Sequence, residues 1–143
     1  MGDLDVVQTI TADAYLPYEA TIGIVPLPAL ADYRARIVRG EVWLLAADGG
    51  IAGLIVLEEK PDWVLIFSIA VRPDLHGLSH GRMLLGFADQ RAREIGVAEV
   101  RLYTNQRMVR NIAIYKLAGF VVTGTRPHPT KTDHVVVDMV KRV

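Results

Sequence analysis

Apolar and polar positions along this 143-residue chain change period several times, and each change marks an element. Leu4, Val7, Ile10 and Ala14 recur at helical spacing behind Asp3, whose carboxylate can accept from the first backbone N–H groups of a helix. The pattern predicts a first helix that begins almost at Met1 and ends before Pro17, with Tyr15-Leu16-Pro17-Tyr18 as a bend. Residues 19–28 contain proline and glycine and read as a connection, which either lines a substrate mouth or simply joins two helices. A second helix is predicted over residues 29–39, with Leu30, Tyr33 and Ile37 on one side and Gly40 as its stop.

Alternation then replaces the helical period. Residues 41–47 and 51–58 read as two strands divided by Asp48-Gly49-Gly50, a tight-turn signal because glycine accepts a positive φ, so a β-hairpin is predicted. Glu59-Lys60-Pro61-Asp62 is a second turn and leads into Trp63–Val71, where apolar residues on both parities predict a strand packed on both faces. Pro73 ends that strand. A loop of small and polar residues follows, and a helix begins near His80, with Leu84, Leu85, Ala88, Ala92 and Ile95 on one face and Gly96 at its C-terminus.

Residues 98–104 alternate again and follow the preceding strand through a helix, which predicts parallel pairing between the two. A helix over about residues 108–118 stops at Gly119, residues 120–125 form a strand, and residues 126–133, with two prolines, read as an exposed loop. Residues 134–141 form the last strand, with Val135, Val137 and Met139 on one face. The order predicts an α+β fold, a mixed central β-sheet flanked by helices, in a single domain spanning residues 1–143.

Composition narrows the function classes. Hydrophobic residues make up 51% and charged residues 22%, which excludes a mainly disordered chain. Sixteen basic residues balance sixteen acidic ones, so no net field favours nucleic acid or an anionic membrane, and any phosphate site must be local. No run approaches the roughly 18 apolar residues of a membrane span, the N-terminus lacks the basic start of a signal peptide, and cysteine is absent, so a cytoplasmic location is expected. The four histidines, at 76, 80, 128 and 134, have no compact zinc spacing.

Two stretches carry candidate chemistry. Arg72-Pro73-Asp74-Leu75-His76-Gly77-Leu78-Ser79-His80-Gly81-Arg82 joins a buried strand to a helix start, a place where backbone N–H groups converge on an anion; read alone, it is equally a helix N-terminus after a tight turn. Asn111-Ile112-Ala113-Ile114-Tyr115-Lys116-Leu117-Ala118-Gly119-Phe120 places Asn111 and Tyr115 four apart on one helix face; read alone, Tyr115 is equally a half-buried core aromatic with its hydroxyl satisfied. Neither a Gly-x-Gly-x-x-Gly nor a Gly-Lys-Ser/Thr phosphate motif is present.

The first stretch resembles the acyl-CoA-binding signature of the GCN5-related N-acetyltransferases, the GNAT superfamily. Val71-Arg72-Pro73 matches its strand end and Gly81 its last glycine, while His76 stands where the family has Gln or Arg and Ser79 where it has its first glycine. Asn111, Tyr115 and Gly119-Phe120 resemble its second motif without departure, and the element order resembles the family fold over the whole chain, except that the usual N-terminal strand is missing. The resemblance implies an acyl-CoA-dependent N-acyltransferase with acetyl-CoA as cosubstrate and a primary amine as acceptor. It implies pantetheine paired with backbone groups near Ile69, Ala70 and Val71, and a pyrophosphate held by N–H groups of His76, Gly77, Leu78, Ser79, His80, Gly81 and Arg82.

By the same resemblance Asn111 contacts the cofactor and Tyr115 protonates the departing CoA thiolate as general acid. Asn105, at the end of the parallel strand, either contacts pantetheine or caps the next helix. Many family members carry a Glu where this chain has Phe67 and Ser68, so a general base would come from Glu19, Glu58, Glu59, His128, His134 or a water reached through Ser68. The alternative functions are a catalytically impaired acyl-CoA-binding or regulatory domain and an interaction module that has kept only the fold. The missing first strand leaves a sheet edge that a second copy of the chain would cover in a homodimer.

Overall fold

The computed structural model describes residues 2–22, 33–47, 50–72, 80–131 and 133–143, with the side chains of 2–3, 15–22 and 47 outside that description. Ten elements follow in order: α1 (Gly2–Ile22), α2 (Tyr33–Val38), β1 (Val42–Ala47), β2 (Gly50–Glu59), β3 (Trp63–Val71), α3 (His80–Ile95), β4 (Glu99–Asn105), α4 (Val109–Leu117), β5 (Val121–Pro127) and β6 (Val135–Arg142). The strands make one sheet in the order β1-β2-β3-β4-β6-β5. All neighbours are antiparallel except β3 and β4, whose parallel pairing follows from the crossover through α3. The mixed sheet flanked by helices is the α+β architecture the element order predicts, and β1 is an edge with no strand before it among the described residues.

Each face of the sheet has its own core. On one, Leu84, Leu85, Ala88 and Ala92 of α3 pack on Ile55, Leu57, Val64, Ile66, Val100 and Leu102, with Ile112, Tyr115 and Ala118 of α4 joining from the side. On the other, Val7, Ile10 and Ala14 of α1 and Tyr33 of α2 pack on Leu54, Val56 and Ala70. Each fully buried aliphatic side chain contributes about 1.5–3 kcal/mol, so these two layers are the main source of stability. We call them the α3 face and the α1 face. Among the described residues, the helices on the α1 face, α1 and α2, pack on β2 and β3.

Several expectations need correction. The first helix runs through Pro17 to Ile22, with no bend at Tyr15-Leu16-Pro17-Tyr18. Proline removes the bond to the Asp13 carbonyl, one bond out of a 21-residue helix whose first half is anchored by Val7, Ile10 and Ala14. The second helix begins at Tyr33, and the predicted residues 29–32 lie outside the described residues. β5 extends to Pro127 and takes Arg126 and Pro127 out of the predicted loop; β5 is an edge strand, where a missing N–H need not interrupt a ladder. In β3 only Val64, Ile66, Ser68 and Ala70 are buried, and their neighbours are half-buried.

The third helix starts at His80 and its C-terminal Gly96 has a φ of 84°, as the sequence predicts. One residue of α3 departs from the amphipathic pattern. Asp89 is 8% exposed, and Lys141 of β6 reaches across to form an ion pair with its Oδ2. The same Lys141 side chain lies beside Gly119 at the end of α4, so one cation ties α3, β6 and the α4 terminus together.

Gly53 of β2 sits opposite Val71, and a Cβ there would stand 2.6 Å from the Ala70 carbonyl oxygen and 3.2 Å from the Val71 Cα. Those obstacles are backbone and cannot rotate away. Gly53→Ala should therefore destabilise the fold by about 1–3 kcal/mol, measured as a lower midpoint in urea unfolding; an unchanged midpoint would mean that β3 shifts freely at Ala70.

Candidate active site

The site begins with a break in strand pairing. β3 and β4 pair from Trp63↔Glu99 to Ile66↔Leu102 and no further, although β3 continues to Val71 and β4 to Asn105. The cause lies on the other side of β3. Val56 of β2 stands opposite Ser68 while Leu57 stands opposite Ile66, so Phe67 is an extra residue, a β-bulge. A bulge bends its strand and increases its twist, and this one falls at the last β3–β4 pair. Beyond it the two strands diverge, and Ile69, Ala70 and Val71 form one wall of the opening.

The bulge also resets the faces. Ile66 belongs to the α3 face, whereas Phe67 packs toward the α1 face, and Ser68 lies opposite Val56 of that same layer. Ile69 and Val71 return to the α3 face and Ala70 joins the α1 core. The six successive residues from Ile66 to Val71 are thus divided between the two faces of the sheet, with Phe67 and Ser68 on the same one.

Of the predicted anion loop, His76, Gly77, Leu78 and Ser79 lie outside the described residues. His80, Gly81 and Arg82 form the first turn of α3, where backbone N–H groups lack intrahelical acceptors. His80 is half-buried, and its Nδ1 is a buried atom without a hydrogen-bond partner among the described residues. A Cβ at Gly81 would meet no atom of the described residues within 4 Å.

Asn111 and Tyr115 both sit half-buried on α4. The Tyr115 ring lies edge-on to Phe120, centroids 6.1 Å apart at 66°, and packs against the cluster that contains Ile66, Leu102, Ile69 and Val71. The fold therefore brings Tyr115 to the face where β3 and β4 part. Gly119, at a φ of 106°, lets the chain turn so that the Phe120 N–H bonds the Tyr115 carbonyl at 3.0 Å, which fixes Phe120 beneath the ring.

Asn105 closes β4 and its amide is engaged within the protein. Oδ1 accepts from the Arg107 N–H at 2.9 Å and the Asn105 carbonyl accepts from Met108 N–H at 2.9 Å. These bonds form a turn ahead of α4, whose N-cap is Met108 without a side-chain cap bond, so Asn105 is not the helix cap that was one of its two expected roles. With Oδ1 so occupied, Nδ2 is the donor to His134 Nδ1 at 3.0 Å. His134 is 3% exposed, and its Nδ1 is engaged with the Asn105 amide. His128 Nδ1 likewise accepts from the backbone N–H groups of Thr130 and Lys131, at 3.2 and 3.1 Å.

The carboxylates sort in the same way. The side chain of Glu19 lies outside the described residues, and Glu59 is bound by Arg91 of α3 at 2.7 Å. Glu58 is different. It lies on β2 opposite Leu65, two residues before the bulge, with Arg36 at 2.8 Å and Lys60 at 3.0 Å. Burial works to raise its pKa, but the hydrogen bonds and charges of Arg36 and Lys60 outweigh it and hold the carboxyl below its ordinary range.

Sequence reasoning missed the groups around Glu58. Tyr33 is 2% exposed; burial raises its pKa, opposed by a hydrogen bond with Ser68 and by the charge of Arg36. Ser68 is thus occupied by Tyr33 in the interior. Tyr103 of β4 is raised by burial first and by the charge of Glu58 second. Arg126 of β5 lies 5.2 Å from the Tyr103 ring centroid and bonds Asp138 of β6 at 3.0 Å. Glu58, Tyr103, Asp138 and Arg126 therefore form a polar, aromatic strip on the α1 face. Period-two alternation gives the parity of each, but not which strands stand side by side.

The fold has relatives. A family model described as the acetyltransferase (GNAT) family matches residues 7–120. The uncharacterised N-acetyltransferase YvbK of Bacillus subtilis (strain 168) is 28% identical over 83 residues, 57% of this chain and 54% of that protein, so the match spans about half the length of this curated relative. Among solved structures, the ribosomal-protein-S18-alanine N-acetyltransferase of Escherichia coli is 25% identical with a TM-score of 0.64, covering 71% of this chain and 68% of its own. A GNAT-family protein from Desulfovibrio desulfuricans reaches a TM-score of 0.77 over 99% of this chain and 92% of its own, at 17% identity. A Bacillus anthracis protein assigned as a streptothricin acetyltransferase, solved with acetyl coenzyme A, has a TM-score of 0.67 at 24% identity, over 71% of this chain and 61% of its own. The last two are likenesses of fold.

A carboxyl whose pKa is lowered by folding stabilises the protein above its ordinary value of 4.5 and loses that contribution as pH falls through the lowered value. Glu58→Gln should reduce stability at pH 7 by about 1 kcal/mol or more and flatten the decline below pH 4.5, both read from thermal unfolding across pH. An acid limb as steep as the wild type would place the responsible carboxyl elsewhere.

Proposed function

Since the chain belongs to the GNAT acetyltransferase family, we propose that it is an acyl-CoA-dependent N-acyltransferase that moves an acetyl group from acetyl-CoA to a primary amine in a ternary complex. The observation that carries this reading is the divergence of two parallel strands after Ile66 and Leu102, with the first turn of α3 following β3 and Tyr115 on the same face. An extended amide-bearing chain fits a gap of that kind, because strand backbone recognises it as another strand. The buried Nδ1 of His80, without a partner among the described residues and in a helix first turn, fits the anionic end of such a ligand.

Bound acetyl-CoA supplies the activated thioester, and the protein supplies position, polarity and one proton. Ile69, Ala70 and Val71 align the pantetheine arm, and His76, Gly77, Leu78, Ser79, His80, Gly81 and Arg82 hold the pyrophosphate. Asn111 contacts the cofactor from α4, and Asn105 shapes the turn that delivers α4 to the gap. A backbone N–H of β3 polarises the thioester carbonyl. As the neutral amine attacks, a carbon–nitrogen bond forms and the carbon–sulfur bond breaks; the Tyr115 hydroxyl gives its proton to the departing sulfur, and the proton lost by nitrogen passes to water.

The acceptor enters over the α1 face. The Nδ1 atoms of His128 and His134 are already engaged, and Glu58 is held ionised, so its role is to attract an ammonium group to the strip it shares with Tyr103 rather than to take a proton from it. The amine is deprotonated by solvent before attack.

Acetyl-CoA at about 100 times its dissociation constant should stabilise the native state by about 2.7 kcal/mol, seen as a raised unfolding temperature. No rise at concentrations that shift a control acetyltransferase would end this reading. Release of free CoA across a panel of amines tests the transfer, and binding without release would make the chain an acyl-CoA-binding domain instead. Tyr115→Phe should lower kcat by about 10–100-fold, in the range of general acid catalysis, and leave acetyl-CoA affinity within about threefold; an unchanged kcat where chemistry limits the rate would remove Tyr115 from the mechanism.

A further inference from the structure

Phe67 is the residue of β3 that stands opposite no residue of either neighbouring strand. It is passed over in the pairing with β2, where Val56↔Ser68 is followed directly by Leu57↔Ile66, and the pairing with β4 has ended one residue earlier. Something other than the ladder must fix where the strand turns. The Arg36 guanidinium carbon lies 3.6 Å from the centroid of the Phe67 ring. The same guanidinium donates through Nη1 to Glu41 Oε1 and to Glu58 Oε2, both at 2.8 Å. With 14% of its side chain exposed, Arg36 is held on three sides: a ring beneath it, a carboxylate just after α2, and a carboxylate on β2.

We infer that Arg36 is a positioning residue of the active site, a clamp whose stacking on Phe67 sets the bulge at which β3 leaves β4. This inference rests on the proposed acyl transfer for its catalytic consequence, though its structural part stands without it. The direction in which Phe67 leaves Ile66 decides where Ser68, Ile69 and Ala70 run, and so where the polarising N–H stands relative to a thioester. Arginine suits the task and lysine does not, because a planar, weakly hydrated guanidinium can lie flat on a ring while its edge bonds two carboxylates.

Two measurements on the full chain test the clamp. In the free protein, Arg36→Met keeps the apolar stem and removes the charge. It should accelerate amide hydrogen exchange at Phe67, Ser68 and Ile69 by about tenfold or more while Ile55 and Leu57 exchange as in the wild type. In turnover with the best amine of the panel, the same variant should lose about tenfold in kcat with KM for acetyl-CoA within about threefold. Arg36→Lys should not rescue the rate.

Phe67→Leu should show the same loss, and the double variant should be no worse than either single one, because both act at one contact. Local exchange unchanged in a folded Arg36→Met, or losses that multiply in the double variant, would overturn the inference. If Arg36→Met does not fold, Glu58→Gln releases one of the two carboxylates and should produce the same local acceleration. If the wild type releases no CoA with any amine, the proposed activity fails while the exchange experiment still decides the clamp.

Discussion

The structure depends on one extra residue in one strand. A parallel pair of strands stays in register only while both keep the same twist, and the bulge at Phe67 ends that condition after four pairs. Almost everything proposed for the site follows from that count. β4 continues in full register with β6 as far as Asn105↔Val136, and β3 continues with β2 as far as Val71↔Gly53, so each diverging strand is still braced on its outer side. The pairing of β3 with β4 thus ends while each strand keeps its outer partner.

The two faces carry different loads because of this opening. The α3 face is continuous: α3, α4 and the middle strands share one cluster, and the ion pair of Asp89 with Lys141 ties α3 to β6. A buried pair of this kind adds little net stability, since desolvation offsets much of the attraction, but removing one partner would strand a charge under a helix. Among the described residues, the α1 face is packed by helix over β2 and β3. Beyond them it holds the ion pair of Arg126 with Asp138 and the half-buried Tyr103, whose pKa is raised by burial, so that its hydroxyl stays protonated at pH 7.

Most of the fold could be read from the chain because its signals are local. Asp48-Gly49-Gly50 marks a hairpin, Gly96 and Gly119 stop helices by accepting positive φ, and Leu84, Leu85, Ala88 and Ala92 write the buried stripe of α3 in plain helical spacing. The errors have equally definite causes. Pro17 reads as a stop because a proline's cost is local, whereas the packing of Val7, Ile10 and Ala14 that outweighs it is tertiary. The bulge at Phe67 leaves no mark in a run of nine mostly apolar residues, since it is defined by the partner strand. Arg36 over Phe67, and Tyr33 with Ser68, join residues more than thirty positions apart through a sheet whose order the sequence does not state. The four-residue spacing of Asn111 and Tyr115 reads as one helix face, and α4 carries both; the bonds of Asn105 to Arg107 and His134 cross a turn and a pair of strands and leave no trace in the sequence.

The helix that bears Tyr115 buries no residue fully; Ile112, Tyr115 and Ala118 only lean on the core, while Val109 and Leu117 are 72% and 89% exposed. Such a segment buries less apolar surface than α3 does, so a melting curve reports chiefly on the sheet and α3 and says little of how the Tyr115 ring is placed.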